Sequence, residues 1–127
     1  MRPYTAKGSR TSVDAVVVTP MLLLVPLVEV LSFRGCPHAE PAVALVRETA
    51  RELGVAATVS LVEVADPETA IRLRFLGSPT IRVDGHDVEP GAERREDFAL
   101  GCRIYRTRDG QSGLPTREWV RAALARA

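Results

Sequence analysis

A run of apolar and β-branched residues, Leu27-Val28-Glu29-Val30-Leu31-Ser32-Phe33, ends abruptly in Arg34-Gly35-Cys36-Pro37-His38, and helical spacing begins at once. Ala39, Val43, Val46, Ala50 and Leu53 recur at steps of four and three, with Glu40, Arg47, Glu48 and Arg51 between them, until Gly54 stops the pattern. A buried strand feeding directly into an amphipathic helix must fold that helix back onto a sheet, which confines the chain to α/β architectures. The junction also places a thiol in what reads as the first helical turn. Pro37 suits the first helical position, where its missing N–H costs nothing.

The rest of the chain continues the alternation. Val59, Leu61, Val62 and Val64 read as a second buried strand, and Asp66-Pro67 caps a short helix through Leu76 that Gly77 ends. Pro79-Thr80-Ile81-Arg82-Val83 reads as a third strand. Asp84-Gly85 predicts a two-residue type I′ turn, with His86-Asp87-Val88-Glu89 returning antiparallel. Pro90–Leu100 is a charged connection, Cys102–Arg106 an extended piece and Asp109–Gly113 a turn-rich loop. Thr116 caps a last helix with Trp119, Val120, Ala123 and Leu124 as its apolar face. The expected fold is an α/β sandwich whose mixed sheet has a parallel βαβ half and an antiparallel hairpin half, flanked by helices.

Length and composition bound the function. The chain has 127 residues, 46% apolar and 26% charged, enough for one ordinary domain. Seventeen basic residues, of which only Lys7 is lysine, balance sixteen acidic ones without a basic block, and aromatics make up 5%. No nucleic-acid partner is expected from that distribution. Two cysteines are too few for a disulfide scaffold and lack zinc-site spacing, so no metal or cofactor is assigned and a reducing, cytoplasmic setting is expected.

Arg2, Lys7 and Arg10 precede the apolar stretch Ala15–Val28, a layout that superficially matches a signal sequence. Pro20 and Pro26 interrupt any helix, no small-x-small cleavage site follows, and Glu29 closes the run below spanning length. No membrane partner is expected. Residues 1–21 read as an extension, either unstructured or upstream of a start at Met21, and residues 22–127 as the domain. With a start at Met21, Leu22–Phe33 is one long first strand.

Candidate chemistry centres on Cys36. A helix N-terminus, the Arg34 cation and His38 each favour thiolate, and such settings lower a cysteine pKa from about 8.5 into the range of roughly 3.5–7.5. His38 either tunes the thiol or is an exposed residue of the first turn. Cys102 either resolves a mixed disulfide or packs in the core. His86 is assigned no role. Glu93-Arg94-Arg95-Glu96-Asp97 is a solvated loop or a lid over the thiol.

Cys36-Pro37-His38 is identical to the start of the Cys-Pro-His-Cys motif of the periplasmic thiol oxidase branch of the thioredoxin-like superfamily. Gly77-Ser78-Pro79-Thr80 is similar to the cis-proline loop that faces that motif. The resemblance extends over Val28 to Leu124 and implies a thioredoxin-like sandwich with a cis Ser78–Pro79 bond. It further implies Ser78, Pro79 and Thr80 as the partner-binding loop, and a Ser78 backbone free to pair with an extended, thiol-bearing partner. Ala39 occupies the fourth motif position, so a dithiol cycle within the motif is impossible. The implied activity is thiol–disulfide exchange by Cys36, as a monothiol with a low-molecular-weight thiol or a protein, or with Cys102 resolving.

The layout of Gly35-Cys36-Pro37, Gly77-Ser78-Pro79-Thr80, Asp84-Gly85 and Cys102-Arg103-x-Tyr105 also resembles small actinobacterial thioredoxin-like proteins labelled alkylmercury lyase. That implies a soft-metal reading in which Cys36 and Cys102 hold mercury and the proton donor is one of Asp84, Asp87 and Asp97. A redox-inactive binding module is the third reading.

Overall fold

A computed structural model of the chain describes residues 25–127. The readings of residues 1–21 as an extension and of Leu22–Leu24 as strand lie outside the described residues. The elements are β1 (Leu27–Ser32), α1 (Ala39–Leu53), β2 (Thr58–Glu63), α2 (Pro67–Arg72), β3 (Thr80–Val83), β4 (His86–Asp87), a 3-10 turn (Ala92–Arg94), β5 (Tyr105–Thr107), β6 (Gly110–Ser112) and α3 (Arg117–Arg126). Four strands form one sheet in the order β2-β1-β3-β4. β1 and β2 run parallel from Leu27 opposite Thr58 to Ser32 opposite Glu63, while β3 is antiparallel to both β1 and β4. The fold is the α/β sandwich with a mixed sheet that the element pattern implies.

Alternation along β1 divides the core. Val28 and Val30 face a cluster with Ile81 and Val83 of β3, Ala42, Val46 and Ala50 of α1, and Val120, Ala123 and Leu124 of α3. Leu31, on the opposite face, packs with Val64, Ala70 and Phe75 around α2. Two helices therefore cover one face and one short helix covers part of the other. Exposed ion pairs from Arg117 and Arg121 to Glu48 and Glu52 join α3 to α1.

Local signals act as expected at several boundaries. Asp84 and Gly85 both have positive φ, as a type I′ turn requires, and Asp84 Oδ1 also accepts from the Leu27 N–H at 2.9 Å. The Thr116 hydroxyl accepts from the Trp119 N–H, and Asp66 Oδ1 from the Thr69 N–H.

Besides strand ends that shift by one to three residues, such as β4 stopping at Asp87 and β5 starting at Tyr105, five departures from the expectations bear on the site. β1 begins only at Leu27, after Pro26, so the described part of the long first strand is shorter than expected. α1 begins at Ala39 with His38 as N-cap, which leaves Pro37 outside the helix and Cys36 two residues before the cap. α2 ends at Arg72, not Leu76. Arg82 from β3 donates to the Leu73 and Arg74 carbonyls at 2.6 and 3.0 Å, satisfying the helix end by a route no local pattern announces. Gly77 does not end that helix. It has φ +121°, and a Cβ there would stand 2.9 Å from Cβ of Arg103, so a distant segment lies against it. Finally, the loop Asp109–Gly113 contains β6, which pairs with β5 in a separate two-stranded ribbon.

Candidate functional site

Cys36 sits in a tight double turn. Its N–H donates to the Phe33 carbonyl across Arg34-Gly35, with Gly35 at φ +84°, and its own carbonyl accepts from the Ala39 N–H at 3.2 Å. The side chain is mostly buried, 9% exposed, and borders an open hollow of about 690 Å³. Phe33, Pro37, Pro41 and Leu61 supply apolar walls, with Arg34, Glu40 and Glu63 at the rim. The Arg34 guanidinium, 87% exposed, leans toward Glu63 at 3.7 Å, so much of its charge is spent on that carboxylate and on water. Of the first three N–H positions of α1, Ala39 is bonded to Cys36 and Pro41 has no hydrogen, leaving that of Glu40.

The other motif residues distribute around this turn. The Ser78–Pro79 bond is cis, and the Ser78 hydroxyl accepts from the Phe33 N–H at 3.3 Å, which ties the proline loop to the Cys36 turn. Ser78, Pro79 and Thr80 are all buried. The Thr80 hydroxyl donates to the Gly77 carbonyl at 2.7 Å and accepts from Arg103 at 2.9 Å, giving it a structural task inside the loop. His38 is exposed, with its imidazole packed over Gly113 beyond β6, and is not among the residues bordering the Cys36 hollow. His86 is exposed at the start of β4, opposite Val83.

Cys102 is exposed and unbridged, and it borders a different hollow with Leu76, Glu89, Arg95 and Asp97. It is no core cysteine. Its neighbours form the chief correction to the expected site, because the Ser78 backbone is not free. The Ser78 N–H donates to the Gly101 carbonyl at 2.8 Å, and the Ser78 carbonyl accepts from the Arg103 N–H at 2.9 Å, a parallel bridge that centres Cys102 opposite Ser78. The charged run 93–97 lies toward β4 and Cys102, not over the Cys36 hollow.

Arg103 is a structural residue beside the proline loop whose role sequence reasoning misses. Its side chain is 1% exposed. The guanidinium forks onto Asp87 at 2.7 and 3.1 Å, reaches Glu89 at 2.6 Å and lies 4.3 Å over the Tyr105 ring. Burial opposes its charge, but hydrogen bonds to Asp87 and Glu89 overcome this and raise its pKa further. Only Nε lacks a partner. Tyr105 is fully buried, donates to the Pro79 carbonyl, and burial raises its phenol pKa well above the ordinary value. The available signal was the Cys102-Arg103-x-Tyr105 string, whose meaning depends on contacts 14 to 26 residues away.

The expected proton donors are each engaged elsewhere. Asp84 holds the start of β1 and Asp87 holds Arg103. The hydrogen bond from Arg95 keeps the Asp97 carboxyl below its usual range, making it a poor proton donor near neutrality. Among the described residues, no three His, Cys, Asp or Glu side chains are grouped to hold a metal ion, and no helix is long and apolar enough to cross a membrane. No protein-family model, curated protein or solved structure matches this chain.

Proposed function

We propose that this chain is a thioredoxin-like monothiol protein that carries out thiol–disulfide exchange through Cys36 in a reducing, cytoplasmic setting. The observation that carries the reading is a thiol held in the β1–α1 turn at the edge of an open hollow, with the cis Ser78–Pro79 loop hydrogen-bonded to that same turn. The parallel βαβ unit followed by an antiparallel hairpin supports the family resemblance. In this mechanism the Cys36 thiolate attacks a disulfide sulfur, a Cys36–S bond forms, and the displaced thiolate takes up a proton. A second thiol then attacks the mixed disulfide and restores Cys36.

Alkylation of Cys36 followed against pH by mass spectrometry, with Cys36→Ser as the blank, tests the premise. A midpoint below about 7.5 supports a tuned thiol, and a midpoint at or above about 8.5, or no alkylation of the folded chain, overturns it. The soft-metal reading through Cys36 and Cys102 has less support, since the two thiols border separate hollows. Mercuric ion binding that survives competing monothiols and collapses in Cys102→Ser would favour it.

A further inference from the structure

We propose that the segment Ala99–Tyr105 is a built-in strap that fills the main-chain pairing position beside the Cys36 turn and so restricts Cys36 to low-molecular-weight disulfides, excluding extended polypeptides. The inference rests on the reading of Cys36 as an exchange thiol and goes beyond it by naming the substrate class.

Extended polypeptides are recognised chiefly by adding a strand to unpaired backbone groups, with side-chain pockets refining the choice. The loop backbone tied to the Cys36 turn is that of Ser78, whose hydroxyl accepts from the Phe33 N–H. Both main-chain groups of Ser78 are spent on Gly101 and Arg103. The strap is held along its length. The Ala99 N–H donates to the Phe75 carbonyl at 3.1 Å, and the Tyr105 hydroxyl donates to the Pro79 carbonyl. Between those ends Arg103 plugs the strap into Thr80, Asp87 and Glu89.

An incoming chain would have to break the two Ser78 bonds and draw a buried guanidinium out of its carboxylates before gaining any contact. On the β2 side, where Leu61 and Glu63 line the Cys36 hollow, Glu63 pairs with Arg34 at the rim, and charge on an edge strand discourages strand addition. A small disulfide meets neither obstacle. The Cys36 hollow of about 690 Å³ opens on the other side of the turn and falls within the size range of small-molecule sites. There the Cys36 sulfur is oxidised to a mixed disulfide, the leaving half of the small disulfide is reduced to a thiol, and a second low-molecular-weight thiol completes the cycle.

The test uses the full chain in a Cys102→Ser background, so that only Cys36 reacts. Two probes share the same electrophilic bond: bis(2-hydroxyethyl) disulfide, and a short unstructured peptide whose single cysteine is capped with 2-mercaptoethanol. Cys36 adduct formation is followed by mass spectrometry, and strap integrity by amide exchange at Ser78 and Arg103. With the strap protected, the small disulfide should react at least about tenfold faster than the peptide.

Arg103→Lys loses the fork, and Gly77→Ala drives a Cβ to within 2.9 Å of Arg103. Either variant should deprotect those amides and raise the peptide rate about tenfold while changing the small-disulfide rate less than about threefold. Equal rates on the protected strap, or an unchanged gap once the amides are deprotected, overturn the strap. Failure of both disulfides to react overturns the exchange reading itself. If Gly77→Ala does not fold, the unaltered strap and Arg103→Lys still decide the matter.

Discussion

Replacing Arg103 with methionine would strip Asp87 of its buried cation and leave Glu89 only the outer Arg95 at 3.5 Å, and the expected cost is about 3–5 kcal/mol, measured as a lower denaturant midpoint. The asymmetry of buried charge sets that size, because desolvation has already been incurred by the carboxylates that remain. Tyr105 supplies a pH signature of the same cluster. Its folded pKa is raised by burial, so the stability it contributes is complete below its unfolded value of about 10 and is lost as pH rises through the folded value. Denaturant midpoints should therefore fall as pH is raised above about 10, and Tyr105→Phe should flatten that fall while losing about 1–2 kcal/mol at neutral pH through the stranded Pro79 carbonyl. Neither residue is conspicuous in the sequence. A buried arginine and an exposed one have the same letter, and only the contacts to Asp87 on β4 and Glu89 just beyond it distinguish them.

At the scale of elements, Thr116→Ala should cost about 1 kcal/mol, read from thermal denaturation, because it removes the acceptor for the Trp119 N–H at the start of α3. Asp66 caps α2 in the same way, and its hydrogen bond from Thr69 lowers its pKa. The stability it contributes is present above the ordinary carboxylate range and lost as pH falls through the depressed value, so Asp66→Asn should reduce acid sensitivity while keeping the cap. Both helix starts were legible because an N-cap and its partner lie three residues apart. The end of α2 was not, because Arg82 satisfies its last carbonyls from another element. The start of α1 was misread by two residues for a related reason. Pro37 is compatible with a first helical position, but the turn that Gly35 permits already carries the Cys36 N–H to Phe33, and the helix opens only after a second turn.

Across the whole molecule, one large core joins α1 and α3 to the sheet, while a small one rests on Leu31, Val64, Ala70 and Phe75. Phe75→Ala removes the largest member of the small core and should cost about 3–5 kcal/mol in denaturant titration, with α2 losing amide protection before the α1–α3 layer does. The sandwich, its parallel and antiparallel halves, the cis Ser78–Pro79 bond implied by resemblance and the place of Cys36 between strand and helix were all readable from the chain. Apolar periodicity and turn residues act over two to four positions, and sheet connections leave few topologies open. What only the tertiary structure decided is how the charged connection after β4 travels. Its return lays Cys102 beside Ser78, sends Arg103 into carboxylates 14 and 16 residues back and turns His38 over Gly113. Those contacts close long loops by pairing groups with no local period, so the path of the loop, and with it the occupied edge beside Cys36, is settled by the packed whole.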